Sequence, residues 1–387
     1  MAALLAAILV AVTNGYDPAR RRWHAARMPK RLLAALALLP ALALAAGYPY
    51  SYERVPVADG VHAFIEGFGH AVVSGNIVAV VGDEAVAVID TGHHPRLTKR
   101  IVADIKALTP KPVRYVVNTH WHNDHVSGNH VFEEAWPGVT FVAHAFTAQV
   151  MDKDVRDFQG PSCVPFLKAQ SQPLREALAS GKGRDGQPLA EARRRRMEAF
   201  VAEADVAIEE CAEFRYRSPG LTFTDRVTLR LGKRDVEVMH WGRGNTAGDV
   251  VAWIPDAKVL AAGDLVVHPF PFATAAYISE WAAVLKRLEA MPYEAMVPGH
   301  GPVMRDRKYV AEVREVLESV MSQARAAYRP GMTAEELRAK VELAEHRRRI
   351  AGDDAFIAAN FDYMIGNLAV ARAWQELAGK WEPESIK

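Results

Sequence analysis

The sequence predicts a mixed α/β fold. Short runs of β-branched residues recur between tight turn signals, as in Ile77 to Val81, Gly82-Asp83, and Ala85 to Ile89. Stretches of helical spacing interrupt them, as in Leu97 to Leu108, where Ile101, Val102, Ile105 and Leu108 share one face. The candidate functional positions stand just past predicted strands, where sheets of this class present their chemistry. Pattern alone specifies a layered mixture of strands and helices and no more.

Length and composition set the bounds. A chain of 387 residues has room for about two domains, and 50% apolar residues are ample for a large core. The formal charge of +1 argues against a protein built to hold polyanions. The basic run Arg193 to Arg196 is bracketed by Glu191 and Glu198, as on a solvated helix face, so a small-molecule substrate is expected rather than a nucleic acid. Neither a solenoid repeat nor a low-complexity tract is evident, and oligomeric state is left open.

The N-terminus reads as an address. Pro29-Lys30-Arg31 gives a basic start, Leu32 to Leu42 an apolar run, and Ala43-Leu44-Ala45 a small-x-small cleavage pattern. Residues 28–45 are therefore expected to be a signal peptide beginning at Met28, with residues 1–27 an upstream extension. Ala2 to Val12 is too short to cross a bilayer, and Pro40 interrupts the second apolar run, favouring cleavage over anchoring. The expectation is an exported protein, periplasmic or secreted, with no stable membrane association after cleavage.

Residues 53 to 92 read as strands joined by tight turns, ending at Asp90-Thr91-Gly92. Asp90 could orient a ligand histidine from behind, or serve as a plain turn aspartate. His93 and His94, in the same loop, are expected to be solvated. After the helix Leu97 to Leu108, Val113 to Val117 should be a buried strand; Val131 to Trp136 continues as a short helix and Val139 to Ala143 as a strand. His130 and His144 read as structural or solvent-facing. The stretch Leu189 to Phe214 is rich in Ala, Glu, Arg and Met, follows the glycine-rich turn Gly181 to Gly186, and has helical character. Cys163 and Cys211 flank that turn, and in an exported protein they could pair, closing a loop of about 48 residues worth roughly 4 kcal/mol in the chain-entropy model. Strands resume with the hairpin Val227 to Leu231 and Val236 to Trp241, then the pair Val250 to Ile254 and Val259 to Ala262. His268 lies in a proline-rich aromatic loop and reads as a pocket wall. Val310 to Tyr328, the segment after Met332-Thr333, and Asp354 to Leu377 should be helices, with Thr333 and Glu336 spaced as a capping box.

The chemistry concentrates between Val116 and Asn129, which reads Val-Val-Asn-Thr-His-Trp-His-Asn-Asp-His-Val-Ser-Gly-Asn. Four potential ligands, His120, His122, Asp124 and His125, follow a strand end within six positions. Alternation places His120 and His122 on one side, while the turn into the next helix can swing Asp124 and His125 towards a second point. Imidazole and carboxylate without nearby cysteine are what zinc takes in sites that keep a position open for water.

This segment resembles the metal-binding signature of the metallo-β-lactamase superfamily, and the chain supplies similar partners in order over about residues 53 to 305. Asp90 in Val-Ile-Asp-Thr-Gly resembles the family's early aspartate. Asp264 in Val-Leu-Ala-Ala-Gly-Asp-Leu resembles its metal-bridging aspartate, and His300 in Val-Pro-Gly-His-Gly-Pro its last histidine ligand. One position departs: Gly242-Arg243-Gly244-Asn245-Thr246-Ala247-Gly248-Asp249 offers Asn245 where the family has a histidine. Asparagine oxygen is a weaker zinc ligand than imidazole; His240, five residues earlier, is an alternative donor.

The resemblance implies a four-layer αββα sandwich at residues 53–305, with a helical insertion at about 150–218 and a C-terminal helical region at 306–387. The insertion could be a lid, a partner surface or plain decoration. The resemblance further implies a zinc hydrolase with one or two ions. Asp124, His125 and His300 would hold one, His120 and His122 the other, with Asp264 shared. A metal-bound hydroxide would attack a carbonyl-type centre in a β-lactam, lactone, ester or thioester, with Asp124 moving a proton and Asn245 ligating or donating to the oxyanion. Two alternatives stand beside it. Iron redox relatives have a glutamate at the position of His122 or rely on the histidine absent at 245, and a low-turnover metal-binding protein would also accommodate Asn245.

Overall fold

The computed structural model describes residues 48–67, 69–156, 162–183, 186–381 and 384. The expected signal and upstream extension lie outside them. No helix among the described residues is long and apolar enough to cross a membrane.

Two sheets stack face to face. The first has seven strands in sequential order: β1 (Tyr52–Ala58), β2 (Val61–Glu66), β3 (Ile77–Val81), β4 (Val86–Ile89), β5 (Val113–Asn118), β6 (Thr140–His144) and β7 (Leu221–Phe223). The second has five: β8 (Arg226–Arg230), β9 (Asp235–His240), β10 (Val250–Ile254), β11 (Val259–Val267) and β12 (Ala295–His300), in the order β12-β11-β10-β9-β8. Strands β1 to β4 pair antiparallel, whereas β4, β5, β6 and β7 run parallel. Parallel neighbours need long crossovers, and the helix Pro95–Leu108 supplies the one between β4 and β5.

Period-two alternation assigns each strand face to a layer. In β10, Val250, Ala252 and Ile254 point into the core between the sheets, where they meet Val78, Val80 and Ile89. Val251 and Trp253 point outward onto the helix Ile278–Glu289 through Trp281 and Leu285. The outer face of the first sheet is covered in the same way by Ile101, Ile105, Val131 and Phe132 from two helices. Strands buried on both faces therefore read as continuous apolar runs. The result is the αββα sandwich.

The C-terminal helices share this core: Val313, Leu317 and Val320 of Lys308–Ala327 and Val370 and Ala373 of Val370–Ala378 pack with Trp281 and Leu288. The expected capping box forms, with Thr333 accepting from the Glu336 N–H and Glu336 accepting from that of Thr333. Between β6 and β7, the helices Cys163–Ser180 and Glu191–Glu210 pack together and are joined by a Cys163–Cys211 disulfide.

Two expectations are corrected. His93 and His94 are buried, not solvated. Glu210 and the Val72 carbonyl engage the two nitrogens of His94 at 2.9 and 3.0 Å, and Tyr50 stacks on its ring at 3.6 Å. The cover comes from the helical segment, far away in sequence. Secondly, β11 does not stop at Ala262 but runs through Asp264 to Val267, with register irregularities on either side of Gly263. Asp264 thus lies within a strand, in its irregular stretch.

Candidate metal centre

The edge of the site is built by parallel pairing of β4 and β5. Their C-terminal ends lie side by side, so Asp90 and Thr119 emerge together, and the Asp90 amide donates to the Val117 carbonyl. Asp90 adopts a left-handed φ of 59°, a conformation aspartate tolerates better than most residues. Its carboxylate accepts from the Thr119 N–H and hydroxyl, each at 2.8 Å, and contacts His125 Nδ1 at 2.8 Å. With its hydroxyl hydrogen on Asp90, Thr119 accepts from His120 Nδ1 at 3.0 Å. The Nδ1 atoms of His120 and His125 are thus both engaged from behind, and their Nε2 atoms face the centre.

The short helix Asn123–Val126 then carries Asp124 and His125. Reciprocal amide hydrogen bonds between Asn118 and Asn129, at 3.0 and 2.9 Å, tie the start of the loop to its end. From the second sheet, β11 presents Asp264 and the end of parallel β12 presents His300. Gly299 permits their approach, since a Cβ there would collide with Oδ1 of Asp264.

Among the described residues, two groups have the reach to hold a metal ion: His120, His122 and Asp264, and Asp124, His125 and His300. In the first, His120 Nε2 lies 2.8 Å from His122 Nδ1, and Asp264 Oδ2 lies 3.5 and 3.8 Å from them. In the second, His300 Nε2 lies 3.0 Å from Asp124 Oδ2 and 3.2 Å from His125 Nε2. The other oxygen of Asp264, Oδ1, is 3.1 Å from His125 and 3.5 Å from His300. One carboxylate thus offers one oxygen to each group.

The electrostatics follow from this crowding. Burial opposes charge on Asp264, yet His125, His300 and His120 outweigh it and hold the carboxyl well below its usual range. Burial likewise opposes ionisation of Asp124, and His125 and His300 overcome it. His125 is raised well above an ordinary histidine, since Asp264, Asp124 and Asp90 outweigh its burial. His120, where burial and then His125 dominate, is pushed down to about 4. Two anions amid four imidazoles make a donor set suited to a divalent cation.

Asn245 is fully buried beside this set. Its Nδ2 donates to Asp264 Oδ2 at 3.3 Å, and its Oδ1 has no hydrogen-bond partner, nor has Asp264 Oδ1. Unpartnered buried acceptors at this place are what a bound cation would satisfy, so the residues fit the group. His240 joins neither group; its Nδ1 meets the Asp249 carbonyl at 2.9 Å and its ring stacks on His144 at 4.2 Å. His268 is half-buried and packs against Tyr309 at 4.9 Å.

Several neighbours of the centre were not legible from spacing. Thr119 adjoins the motif and its hydroxyl was the one local signal. Gly75, whose missing side chain leaves room for the His125 ring, and Glu384, which contacts Trp121, are remote in sequence.

An αββα sandwich with two ligand groups at its strand ends defines a class of metalloprotein. A family model described as the metallo-beta-lactamase superfamily matches residues 70–300, and the chain belongs to that superfamily. It is 24% identical over 275 residues to a linear primary-alkylsulfatase from Pseudomonas sp. (strain ATCC 19151), a match covering 68% of this chain and 49% of the relative. The chain therefore spans about half of that relative's length. A Bacillus cereus metallo-beta-lactamase type 2 is 22% identical over 251 residues, covering 63% of this chain and 73% of the relative. Among solved structures, a metallo-beta-lactamase from Pontibacter korlensis superposes with a TM-score of 0.47 at 23% identity, covering 69% of this chain and 99% of the other.

Proposed function

We propose that this protein is a zinc-dependent hydrolase of small ester-like or amide-like substrates. The observation that carries the reading is Asp264, whose two oxygens face two separate ligand groups. In this reading His120, His122 and Asp264 hold one cation, with Asn245 beside them, and Asp124, His125 and His300 hold a second. Zinc bound there would supply Lewis acidity and water acidic enough to react near neutral pH.

The chain's own residues do the rest. Asp90 fixes the orientation of His125 directly and that of His120 through Thr119. Asp124 is the least enclosed carboxylate of the set, with 23% of its side chain exposed, which suits it to orient a nucleophilic water and pass a proton to the leaving group. The Asn245 amide, adjoining Asp264, can donate to an oxyanion or turn its free oxygen towards the cation. Phe272, with its ring 6.1 Å from that of His122, offers an apolar wall for substrate.

Kinship with hydrolases that are named for sulfate esters and for β-lactams supports hydrolysis and leaves a range of substrates. Export fits the basic, apolar and small-residue sequence at 28–45, and the Cys163–Cys211 disulfide fits an oxidising compartment. The deciding experiment is metal content per chain by mass spectrometry, before and after zinc loading, followed by a panel of β-lactams, lactones, thioesters, carboxylic esters and alkyl sulfates. Two zinc ions with turnover of one class is the expected result. Native iron, or no metal retained, would overturn the reading.

A further inference from the structure

Glu384 touches a loop from each half of the metal centre while standing in neither ligand group. It is 9% exposed. One carboxylate oxygen accepts from the Trp121 indole N–H at 2.7 Å and the other from the backbone N–H of Ala247 at 2.6 Å. A buried carboxylate is tolerated where donors converge on it, and here one reaches each oxygen.

The two loops it touches are telling. Trp121 sits between His120 and His122, with its ring 4.5 Å from that of His122 at 78°. Ala247 lies two residues beyond Asn245, which donates to Asp264. Nearby, Trp381 packs on Tyr277 at 4.7 Å and is flanked by Arg243 and Arg372 at 5.5 and 5.1 Å. The anchoring is therefore aromatic and cationic as well as hydrogen-bonded.

We propose that Glu384 is a positioning residue: it holds the Trp121 loop and the Ala247 loop in register and so sets His120, His122 and Asp264 for a cation. The proposal rests on the reading of those three residues as metal ligands. The hydrogen bonds of Glu384 go to the loops of that first group, and the second group, Asp124, His125 and His300, has Asp90 directly on His125 but shares Asp264, so the dependence is expected to be larger at the first group.

The test uses the full chain as wild type, Glu384→Ala and Glu384→Gln, with zinc titrated against a chelator and amide hydrogen exchange followed on metal-free protein. In Glu384→Ala, affinity is expected to fall by about 10- to 100-fold at one of two sites, with a clearly smaller loss at the other, which shares Asp264. Amides around 245–248 should exchange faster even without metal. Glu384→Gln keeps the volume and one acceptor, so its losses should be intermediate. Unchanged affinities in a wild type that holds two ions would remove the role of Glu384 alone. Equal loss at both sites would mark a general structural effect and likewise refute the proposal. A wild type that holds no zinc, while amide protection still depends on Glu384, would sink the metal reading and the positioning role with it.

Discussion

The two ligand groups share one carboxylate but are supported in different ways. The group of Asp124, His125 and His300 is backed by Asp90, which emerges from the strand next to β5 and engages His125 at 2.8 Å. The group of His120, His122 and Asp264 has Thr119 behind His120, and beside it an asparagine whose oxygen lacks a partner. Its flanking loops are joined by a residue from the far end of the sequence. Both halves draw a ligand from the second sheet, and the difference is that the loops flanking His120 and Asn245 are further tied by Glu384.

The largest expected effect would erase the difference. Asp264→Ala removes the shared ligand, so both zinc sites should weaken and turnover fall by roughly 10²- to 10³-fold or more. Metal analysis alongside steady-state kinetics measures this; two tightly held ions in the variant would contradict the shared role. Asp90→Ala should act mainly on the group containing His125, lowering zinc affinity by about 10- to 100-fold. A smaller effect on the other group, transmitted through Thr119, would separate the two in a chelator titration. Asn245→His should work in the opposite sense, tightening metal at His120 and His122 because imidazole is the better zinc donor. No gain in affinity there would mean that position 245 does not face the cation.

The smallest effect concerns pH. Glu210 sits below its usual 4.5 because the hydrogen bond and charge of His94 outweigh burial, and His94 sits above its usual 6.5 because Glu210 and Glu66 outweigh burial. The His94 contribution to stability is complete below pH 6.5 and lost as pH rises through its raised pKa. That of Glu210 is complete above pH 4.5 and lost as pH falls through its lowered pKa. The helix Glu191–Glu210 should therefore be best protected between about pH 4.5 and 6.5. Limited proteolysis across pH tests this, and a flat profile would count against the tie.

How much was legible in the sequence follows the same division. His120, His122, Asp124 and His125 are readable because they are contiguous and follow a strand, so local geometry already groups them. Asp264 and His300 carry little signal singly; family resemblance picked them out, and the parallel pairing of β11 and β12 brings them to the same edge. The burial of His93 and His94 was missed because their cover arrives 116 residues later, at Glu210. Glu384 lies 263 residues from Trp121, and no local pattern encodes that meeting. The apolar run Val259 to Ala262 marks only the start of β11, which continues past an irregularity at Gly263 to Val267.

That irregularity has a consequence for how the centre can be inherited. Asp264 is carried inside β11 beyond its last pair with β10, Ala252 with Ala261, and in the irregular part of its pairing with β12. Substitutions along residues 259–261 that keep their bulk should be absorbed, and one residue gained or lost in that paired stretch would shift the position from which the irregular part of the strand presents the carboxylate. The spacing of the two halves of the centre is therefore set by where the regular pairing of β11 ends.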